Sequence, residues 1–219
     1  MIKIASSNNI RIVRNGLDIN QCPICNKAKI LKQRHKVSLS NLKTLDYLKK
    51  VSSDICGPIS LKTYQGYKYF ITFLKKKTRF LKITLLKRKS EALQAFKDYK
   101  AEVENNSSGK RIQTFSTDNG TEYVNNDFEI TLYEFGIKYS RTAPYIKELN
   151  GLIERPNRTL LEKVRSLIYQ ANLPRYLWGE ALKAAVYLYN RTPYSSLPGY
   201  INPYEAVTGN RPIYNNVKV

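Results

Sequence analysis

Three carboxylates in this sequence are placed so that they could share divalent metal ions. Asp54 lies in a strand-like stretch, Asp118 ends a second such stretch, and Glu154 opens a helical pattern. Thirty-five residues separate Asp118 from Glu154. Carboxylate oxygens are the ligands that Mg²⁺ prefers, and two such ions about 4 Å apart can activate an attacking oxygen and stabilise a leaving one. The three carboxylates therefore predict metal-dependent chemistry at a phosphodiester.

The charge of the chain favours nucleic acid as the partner. The 219 residues include 37 Lys and Arg against 17 Asp and Glu, which gives a net charge of +20. A polyanion such as DNA is the simplest partner for so basic a chain. A codon bias that also enriches Asn, Ile and Tyr is the alternative explanation for part of this charge.

Cysteine content and hydropathy indicate the compartment. The three cysteines, Cys22, Cys25 and Cys56, cannot all pair within one chain, so we expect a reducing, intracellular environment rather than a disulfide framework. No stretch approaches the roughly 20 apolar residues that a membrane helix needs. We therefore expect no membrane partner.

A CxxC pair near the N-terminus is half of a zinc site. Cys22 and Cys25 could supply two thiolates to Zn²⁺, but a structural zinc ion normally takes four protein ligands. The one histidine of the chain, His35, follows the pair, and none precedes it. The alternative is a basic arm that carries two free thiols.

The elements that would position the carboxylates alternate in a recognisable order. Hydrophobic periodicity predicts strand, strand, strand, helix, strand, helix, strand, helix. The basic turn Lys75-Lys-Lys77 joins the second and third strands as a hairpin, and Ser90 is the predicted N-cap of the first helix. Segment 192–219 shows no clear period, so no element is predicted there. The predicted strands are 50–56, 67–74, 79–86, 111–117 and 136–139, and the predicted helices are 90–104, 125–135, one that follows Glu154, and 176–190.

The helix that follows Glu154 has one apolar stripe with basic residues beside it. At about 100° per residue, Glu154, Arg158 and Arg165 fall together at the edge of that stripe. An ordinary amphipathic helix with solvated charges is the alternative interpretation. The stripe consists of Leu160, Leu161, Val164, Leu167 and Ile168, and the predicted phosphate contacts are Lys147, Arg155, Arg158 and Arg165.

One proline bears on the position of Glu154. A proline costs about 3 kcal/mol in the interior of a helix and little in its first turn. Pro156 therefore predicts either that the helix begins late, near the proline itself, or that it is kinked there. Either outcome would move Glu154 away from the other two carboxylates.

Several segments resemble the integrases of copia-type (Ty1-like) LTR retrotransposons, and the spacing of the three acidic residues resembles the catalytic core of retroviral integrases. The similarity runs from about residue 21 to the end of the chain. The segments that carry it include Ser53-Asp-Ile-Cys-Gly-Pro58, Thr117-Asp-Asn-Gly-Thr-Glu-Tyr123, Asn157-Arg-Thr-Leu160, Tyr187-Leu-Tyr-Asn-Arg-Thr-Pro193 and Asn202-Pro-Tyr-Glu-Ala206.

The resemblance implies a fold and an activity. The fold is α/β and ribonuclease-H-like, a five-stranded mixed sheet flanked by helices. Asp54, Asp118 and Glu154 would bind two Mg²⁺ or Mn²⁺ ions and catalyse the processing and joining of element DNA ends to chromosomal DNA. The implied setting is a polyprotein product that forms a homo-oligomer and acts in the nucleus, with a cytoplasmic particle stage.

The same resemblance suggests three regions. Residues 1–45 would form a basic arm with the partial zinc module, and residues 46–172 the catalytic core. Residues 173–219 would form a C-terminal helix and an irregular extension. These bounds are predictions from composition and motif positions.

Four departures from the family pattern support an alternative function. Lys75-Lys-Lys77 stands where the family shows two acidic residues and a Tyr, and Ile146-Lys-Glu-Leu-Asn-Gly151 replaces a Pro-Gln-Gln-Asn-Gly element. With the incomplete zinc module and Pro156, they favour a catalytically inactive relic that retains only nucleic-acid binding. A hydrolytic nuclease of the same fold and a small basic zinc-finger protein are further alternatives.

Overall fold

A computed structural model of the chain describes residues 48–107, 109–117, 126–141 and 147–214, with residues 126 and 147–154 described by their backbone alone. Short 3₁₀ turns at Lys89–Glu91, Arg175–Leu177 and Pro198–Tyr200 precede three of the helices. The strands are β1 (Lys50–Cys56), β2 (Tyr69–Lys75), β3 (Leu81–Leu86), β4 (Thr114–Thr117) and β5 (Lys138–Arg141). The helices are α1 (Ala92–Asn105), α2 (Asn126–Glu134), α3 (Lys147–Gln170), α4 (Trp178–Arg191) and α5 (Pro203–Thr208).

The five strands form one mixed sheet in the order β3-β2-β1-β4-β5. The first three strands pair antiparallel, while β4 lies parallel to both β1 and β5. Antiparallel neighbours need only short turns, whereas parallel neighbours need a crossover, and α1 and α2 lie in the connections that lead to β4 and β5. The predicted order of elements and the predicted ribonuclease-H-like sheet are confirmed.

Two hydrophobic cores lie on the two faces of this sheet. Because side chains alternate along a strand, β2 supplies Ile71 and Phe73 to one face and Phe70 and Leu74 to the other. The first face packs against α1 and α2, mainly through aromatic side chains such as Phe96. The second face packs against α3 and α4, whose buried residues include Leu160, Val164 and Leu182. Burial on both faces fixes the position of α3 relative to the strands.

Helix α4 anchors two loops to this second core. Trp178 is buried, and its indole N–H donates to the carbonyl of Leu61 at 2.8 Å. At the far end of the helix, the side chain of Asn190 bridges the backbone of Leu81. It accepts from the Leu81 N–H at 2.9 Å and donates to the Leu81 carbonyl at 2.7 Å. The helix therefore fixes the start of β3 and the hairpin turn before it.

Three details of the sequence prediction are wrong. Ser90 lies in a 3₁₀ turn and does not cap α1, because Glu91 takes the N-cap position and its carboxylate accepts the N–H of Lys87 instead. The helix predicted over 125–135 ends at Glu134, and Phe135, which follows it, is 40% exposed. Helix α5 was not predicted, although its sequence carries ordinary helix-boundary signals. The side chain of Asn202 caps it by accepting from the Glu205 N–H at 2.8 Å, Pro203 begins it, and Gly209 ends it with a positive φ.

The hairpin turn between β2 and β3 is basic and unexpectedly buried. Lys75 and Lys76 are only 4% and 5% exposed. Burial, reinforced by the charge of Lys82, lowers the pKa of Lys75 to about 8. Burial, reinforced by Lys50 and Arg79, lowers the pKa of Lys76 to about 8. The two amines are thus held in an environment that disfavours their charged form.

No helix within the described ranges combines the length and apolar character that a membrane crossing requires.

Replacing Asn190 with Ala is expected to lower the free energy of unfolding by about 2–5 kcal/mol. The change leaves the N–H and the carbonyl of Leu81 buried without partners, and each such group costs about 1–3 kcal/mol. Urea unfolding of the variant measures the loss. Asn105→Ala, at an exposed position of α1, is the matched control and should change stability little. Equal stability of the two variants would contradict the bridging role.

The free energy of unfolding is expected to rise with pH from about 8 to about 10.5. In that interval the unfolded chain binds more protons than the folded one, because burial lowers the pKa of Lys75 and Lys76 from 10.5 to about 8. Urea unfolding at a series of pH values measures the slope, and Lys76→Met should flatten it. Above pH 9 the raised pKa of Cys56 acts in the opposite direction, so the readout is the difference between the parent and variant slopes. Identical slopes would show that Lys76 titrates normally.

Candidate active site

Asp54 lies near the C-terminal end of β1, on the side of the sheet that faces α3. It stands opposite Thr72 of β2, whose hydroxyl donates to the Asp54 carbonyl at 3.1 Å. The residue is half-buried, so its backbone is fixed in the sheet while its carboxylate reaches the boundary between sheet and helix. This is the edge of an α/β sheet where ligands commonly bind.

Asn157 of α3 contacts that carboxylate directly. Its amide nitrogen donates to Asp54 Oδ2 at 2.6 Å, and the residue is only 5% exposed. The amide oxygen, Oδ1, is buried and has no hydrogen-bond partner within the described part of the chain. A buried acceptor of this kind, beside a carboxylate, can receive a hydrogen bond from a bound water or from a ligand of the site.

Asn157 lies in the segment Asn157-Arg-Thr-Leu160, but no role at the site is predicted for it from the sequence. The signal was available, since residues three apart share a face of a helix and Asn157 lies three residues after Glu154. The hydrogen bond to Asp54 therefore brings the face of α3 that carries positions 154 and 157 to the end of β1.

Strand β4 runs parallel to β1 in a register that bears on the second carboxylate. Thr117, the last residue of β4, pairs with Ser53, the residue before Asp54. The Thr117 hydroxyl also shares a hydrogen bond with the Tyr139 hydroxyl at 2.9 Å, which ties the end of β4 to β5. Asp118 itself lies outside the described residues, and its place at the site stays a prediction. Because Thr117 pairs with Ser53, the residue that follows each of them would stand beside the other, as two carboxylates that share a metal ion require.

Helix α3 begins before Glu154 and continues past it. The helix spans Lys147–Gln170 with Pro156 inside it, so the predicted late start near the proline is wrong. Pro156 and Asn157 are buried, and Leu160 follows one turn later in the second core. Tertiary packing of this kind overrides a local helix penalty of about 3 kcal/mol. The side chain of Glu154 lies outside the described residues, so its predicted metal contact stays a prediction.

The donors at this site fit a hard divalent cation. A carboxylate and a neighbouring amide oxygen are both oxygen donors of the type that Mg²⁺ and Mn²⁺ take, directly or through water. Within the described residues no three His, Cys, Asp or Glu side chains form a metal cluster, and that part of the chain excludes Asp118 and the Glu154 side chain. The described half of the site thus provides one carboxylate and its hydrogen-bonding partner.

The predicted phosphate contacts occupy different environments on α3. Arg155 and Arg158 are exposed, and Arg165 is half-buried with an Nε that has no partner among the described residues. Arg158 and Arg165 lie seven residues apart and therefore share a face of the helix. The side chain of Lys147 lies outside the described residues. The zinc candidates Cys22 and Cys25 lie outside them as well, so both predictions stay untested.

Comparisons with known proteins agree on the class of this site. Residues 48–147 match the integrase core domain family. The chain is 35% identical, over its whole length, to the retrovirus-related Pol polyprotein from transposon TNT 1-94 of Nicotiana tabacum, of which it covers 16%. It is 30% identical over 99% of its length to the corresponding polyprotein from transposon RE2 of Arabidopsis thaliana, of which it covers 14%. The chain therefore spans about one sixth of the length of these relatives.

Two solved structures have the same fold. One is a simian T-cell lymphotropic virus intasome in complex with PP2A regulatory subunit B56 gamma, similar over 90% of this chain and 68% of that one, with a TM-score of 0.61 and 21% identity. The other is the HTLV-2 integrase catalytic core domain in complex with magnesium, similar over 73% of this chain and 95% of that one, with a TM-score of 0.54 and 19% identity. The sheet order, the match to the integrase core domain family and the similarity to transposon polyproteins agree, and residues 48–147 belong to the integrase core domain family.

Proposed function

We propose that this chain is the catalytic region of a metal-dependent polynucleotidyl transferase that processes element DNA ends and joins them to chromosomal DNA. The observation that carries the proposal is the hydrogen bond between Asn157 and Asp54. It fixes the helix that contains Glu154 beside the strand that contains Asp54. Family membership supports the reaction class, and the geometry supports a site at this end of the sheet.

Asp54, Asp118 and Glu154 are the proposed metal ligands. Two bound Mg²⁺ or Mn²⁺ ions would make an attacking oxygen more nucleophilic and neutralise charge on the leaving oxygen. The complex of a similar integrase core with magnesium supports the choice of a divalent cation. Asn157 would keep the Asp54 carboxylate in one orientation, and its free Oδ1 would accept from a water of the metal shell.

The proposed reaction has two steps that use the same site. Water attacks a phosphodiester near the end of the element, and the bond from phosphorus to the 3′-oxygen breaks, which leaves a free 3′-hydroxyl. That hydroxyl then attacks a chromosomal phosphodiester, so one phosphorus–oxygen bond forms while one breaks. Because the number of phosphodiester bonds is unchanged in the second step, no nucleotide cofactor is needed.

The exposed arginines of α3 are the proposed contacts for the DNA backbone. Arg155 and Arg158 lie on the same helix as Glu154 and are exposed, so a phosphate can approach them. Arginine makes two parallel hydrogen bonds to a phosphate and so positions DNA without reading its sequence. The +20 net charge supports the same partner.

Self-association and a nuclear site of action complete the proposal. The similar structures include an intasome and an integrase core described as trimeric, which supports a homo-oligomer bound to DNA. Chromosomal DNA as the target requires action in the nucleus, after a cytoplasmic particle stage.

A strand-transfer assay tests the proposed reaction. The protein is incubated with Mg²⁺ or Mn²⁺, a labelled duplex that carries the end of the element, and a plasmid target. The parent is expected to give joined products, and Glu154→Gln and Asp54→Asn are expected to lower their yield by at least about 10³-fold, because each removes a charged metal ligand. Glu162→Gln, on the same helix and eight residues after Glu154, is the matched control and should retain activity.

The products separate the competing functions. Cleavage of the duplex without joining would indicate a hydrolytic nuclease of the same fold. Salt-dependent DNA binding without cleavage or joining would indicate the inactive relic. In that case Pro156→Ala, which removes the proline from the interior of α3, tests whether the proline is responsible.

Replacing Asn157 with Ala is expected to lower strand transfer by about 10–100-fold, as the loss of a group that orients a metal ligand commonly does. The distinguishing measurement is the Mg²⁺ concentration needed for half-maximal activity, which should rise because Asp54 loses the donor that holds its carboxylate.

A purely structural role for Asn157 predicts a different result. The thermal unfolding temperature and the yield of active protein would both fall. The Mg²⁺ dependence of the remaining activity would match that of the parent. Asn105→Ala serves again as the exposed control.

A further inference from the structure

A group of three cations lies at the hairpin turn, away from the carboxylate site. Lys76 and Arg79 are each only 5% exposed, and Lys50, at the start of β1, is half-buried. Asp54 stands opposite Thr72 in the sheet, whereas Lys76 lies four residues after Thr72 and Lys50 four residues before Asp54. At about 3.3 Å per residue, these cations lie about 13 Å from Asp54 along the strands.

The backbone of the turn brings these cations together. The N–H of Lys76 donates to the carbonyl of Lys50 at 3.0 Å, which joins the turn to the start of β1. The N–H of Arg79 donates to the carbonyl of Lys75 at 2.9 Å, and Arg79 has a φ of 59°. A left-handed conformation is unusual for a residue with a side chain and costs about 1–3 kcal/mol, so the turn holds Arg79 in place against a local preference.

An aromatic ring fixes the guanidinium of Arg79 as well. Its Cζ lies 5.7 Å from the centroid of the Tyr194 ring, in the segment that follows α4. Asn190 of α4 bridges the backbone of Leu81, two residues after Arg79. The position of the guanidinium is therefore set by contacts on both sides of the turn.

The chain supplies no opposite charge to this group within the described residues. The ion pairs in that part of the chain involve other cations, among them Lys82, which pairs with Glu102. Besides burial, two neighbouring groups lower the pKa of Lys76. These are Lys50 and Arg79, and both are cations. Buried charges are normally paired, because an unpaired one loses its hydration without compensation.

We propose that Lys50, Lys76 and Arg79 bind a phosphate group at the tip of the β2–β3 hairpin, at a site separate from the carboxylates. The planar guanidinium of Arg79 can donate two parallel hydrogen bonds to two phosphate oxygens, and the two ammonium groups add point charges. One phosphate dianion or phosphodiester would neutralise much of the repulsion among the three cations.

A nucleic-acid phosphodiester is the ligand that the surroundings favour. Lys49 and Lys77 are exposed on either side of the group, so the positive surface extends beyond a single phosphate. An extended polyanion can contact all of these residues, whereas an inorganic phosphate contacts only the centre. The identification with nucleic acid rests on the proposed function, while phosphate binding itself does not.

The first test measures DNA binding in the absence of catalysis. Fluorescence anisotropy with a labelled duplex, in EDTA and over a range of NaCl concentrations, gives the slope of log affinity against log salt. Lys76→Met is expected to reduce that slope by about one, the value for one lost phosphate contact. Lys97→Met removes the same charge from an exposed position of α1 and should leave the slope unchanged. Equal slopes for both variants would overturn the assignment to nucleic acid.

The second test uses inorganic phosphate alone as the probe. Phosphate is expected to raise the thermal unfolding temperature of the parent above its value in chloride at equal ionic strength, and Lys76→Met should abolish the difference. If phosphate has no effect on the parent, the site is overturned. If the phosphate effect is lost in the variant but the DNA slope is kept, the site takes free phosphate and the nucleic-acid assignment fails.

Stability of the variant tests the absence of an internal partner. Lys76→Met should unfold at the same temperature as the parent in chloride or at a higher one, because it removes a repelling cation. A lower temperature would show that the chain itself supplies a carboxylate, and this would overturn the proposal. None of these measurements requires strand transfer, so a failed joining reaction leaves the phosphate result intact and the two failures can be distinguished.

Discussion

One buried hydrogen bond determines how the two halves of the catalytic region meet. Asn157 of α3 donates to Asp54 of β1 at 2.6 Å, across the boundary between helix and sheet. The hydrophobic stripe of α3 fixes the distance of the helix from the sheet, but a stripe of aliphatic side chains permits rotation and sliding. A short polar contact to a single carboxylate removes that freedom. The orientation of the helix face that carries position 154 therefore depends on it.

Pro156 shows why this packing matters more than local preference. The sequence argues for a helix that starts late or bends, since a proline inside a helix removes one hydrogen bond and clashes with the preceding turn. The structure has a single helix from Lys147 to Gln170. The residues that follow the proline are buried against the sheet, with Asn157 on Asp54 and Leu160 in the core. The energy of that burial is not visible in a local pattern.

The sequence predicts the parts of the fold that depend on periodicity and composition. The aromatic and β-branched run of β2 and the stripe of α3 each determine an element almost without context. Long-range contacts, in contrast, are not predicted from the sequence. Nothing local indicates that Asn190 would bridge the backbone of Leu81, or that Asn157 would meet a residue about 100 positions earlier. Such pairs become apparent only when the topology brings distant segments together.

The burial of the hairpin turn was not predicted for a related reason. A run of lysines normally indicates a solvated surface. Here the hydrogen bond from Lys76 to Lys50 and the unusual φ of Arg79 fold the turn back onto the sheet, so that the side chains are buried. The sequence shows the number of charges and not their exposure.

The two ends of strand β1 thus lie in opposite electrostatic environments, one with a carboxylate and one with cations. At one end, burial and the Asp54 carboxylate raise the pKa of the Cys56 thiol to about 11, so the thiol stays protonated at neutral pH and leaves the carboxylate as the group that attracts cations. At the other end, Lys50 lies among cations. Four residues of strand, about 13 Å, separate the two ends, which is more than the Debye length of about 10 Å at about 0.1 M salt. Asp54 can therefore keep its charge for a metal ion while the hairpin keeps its own for an anion.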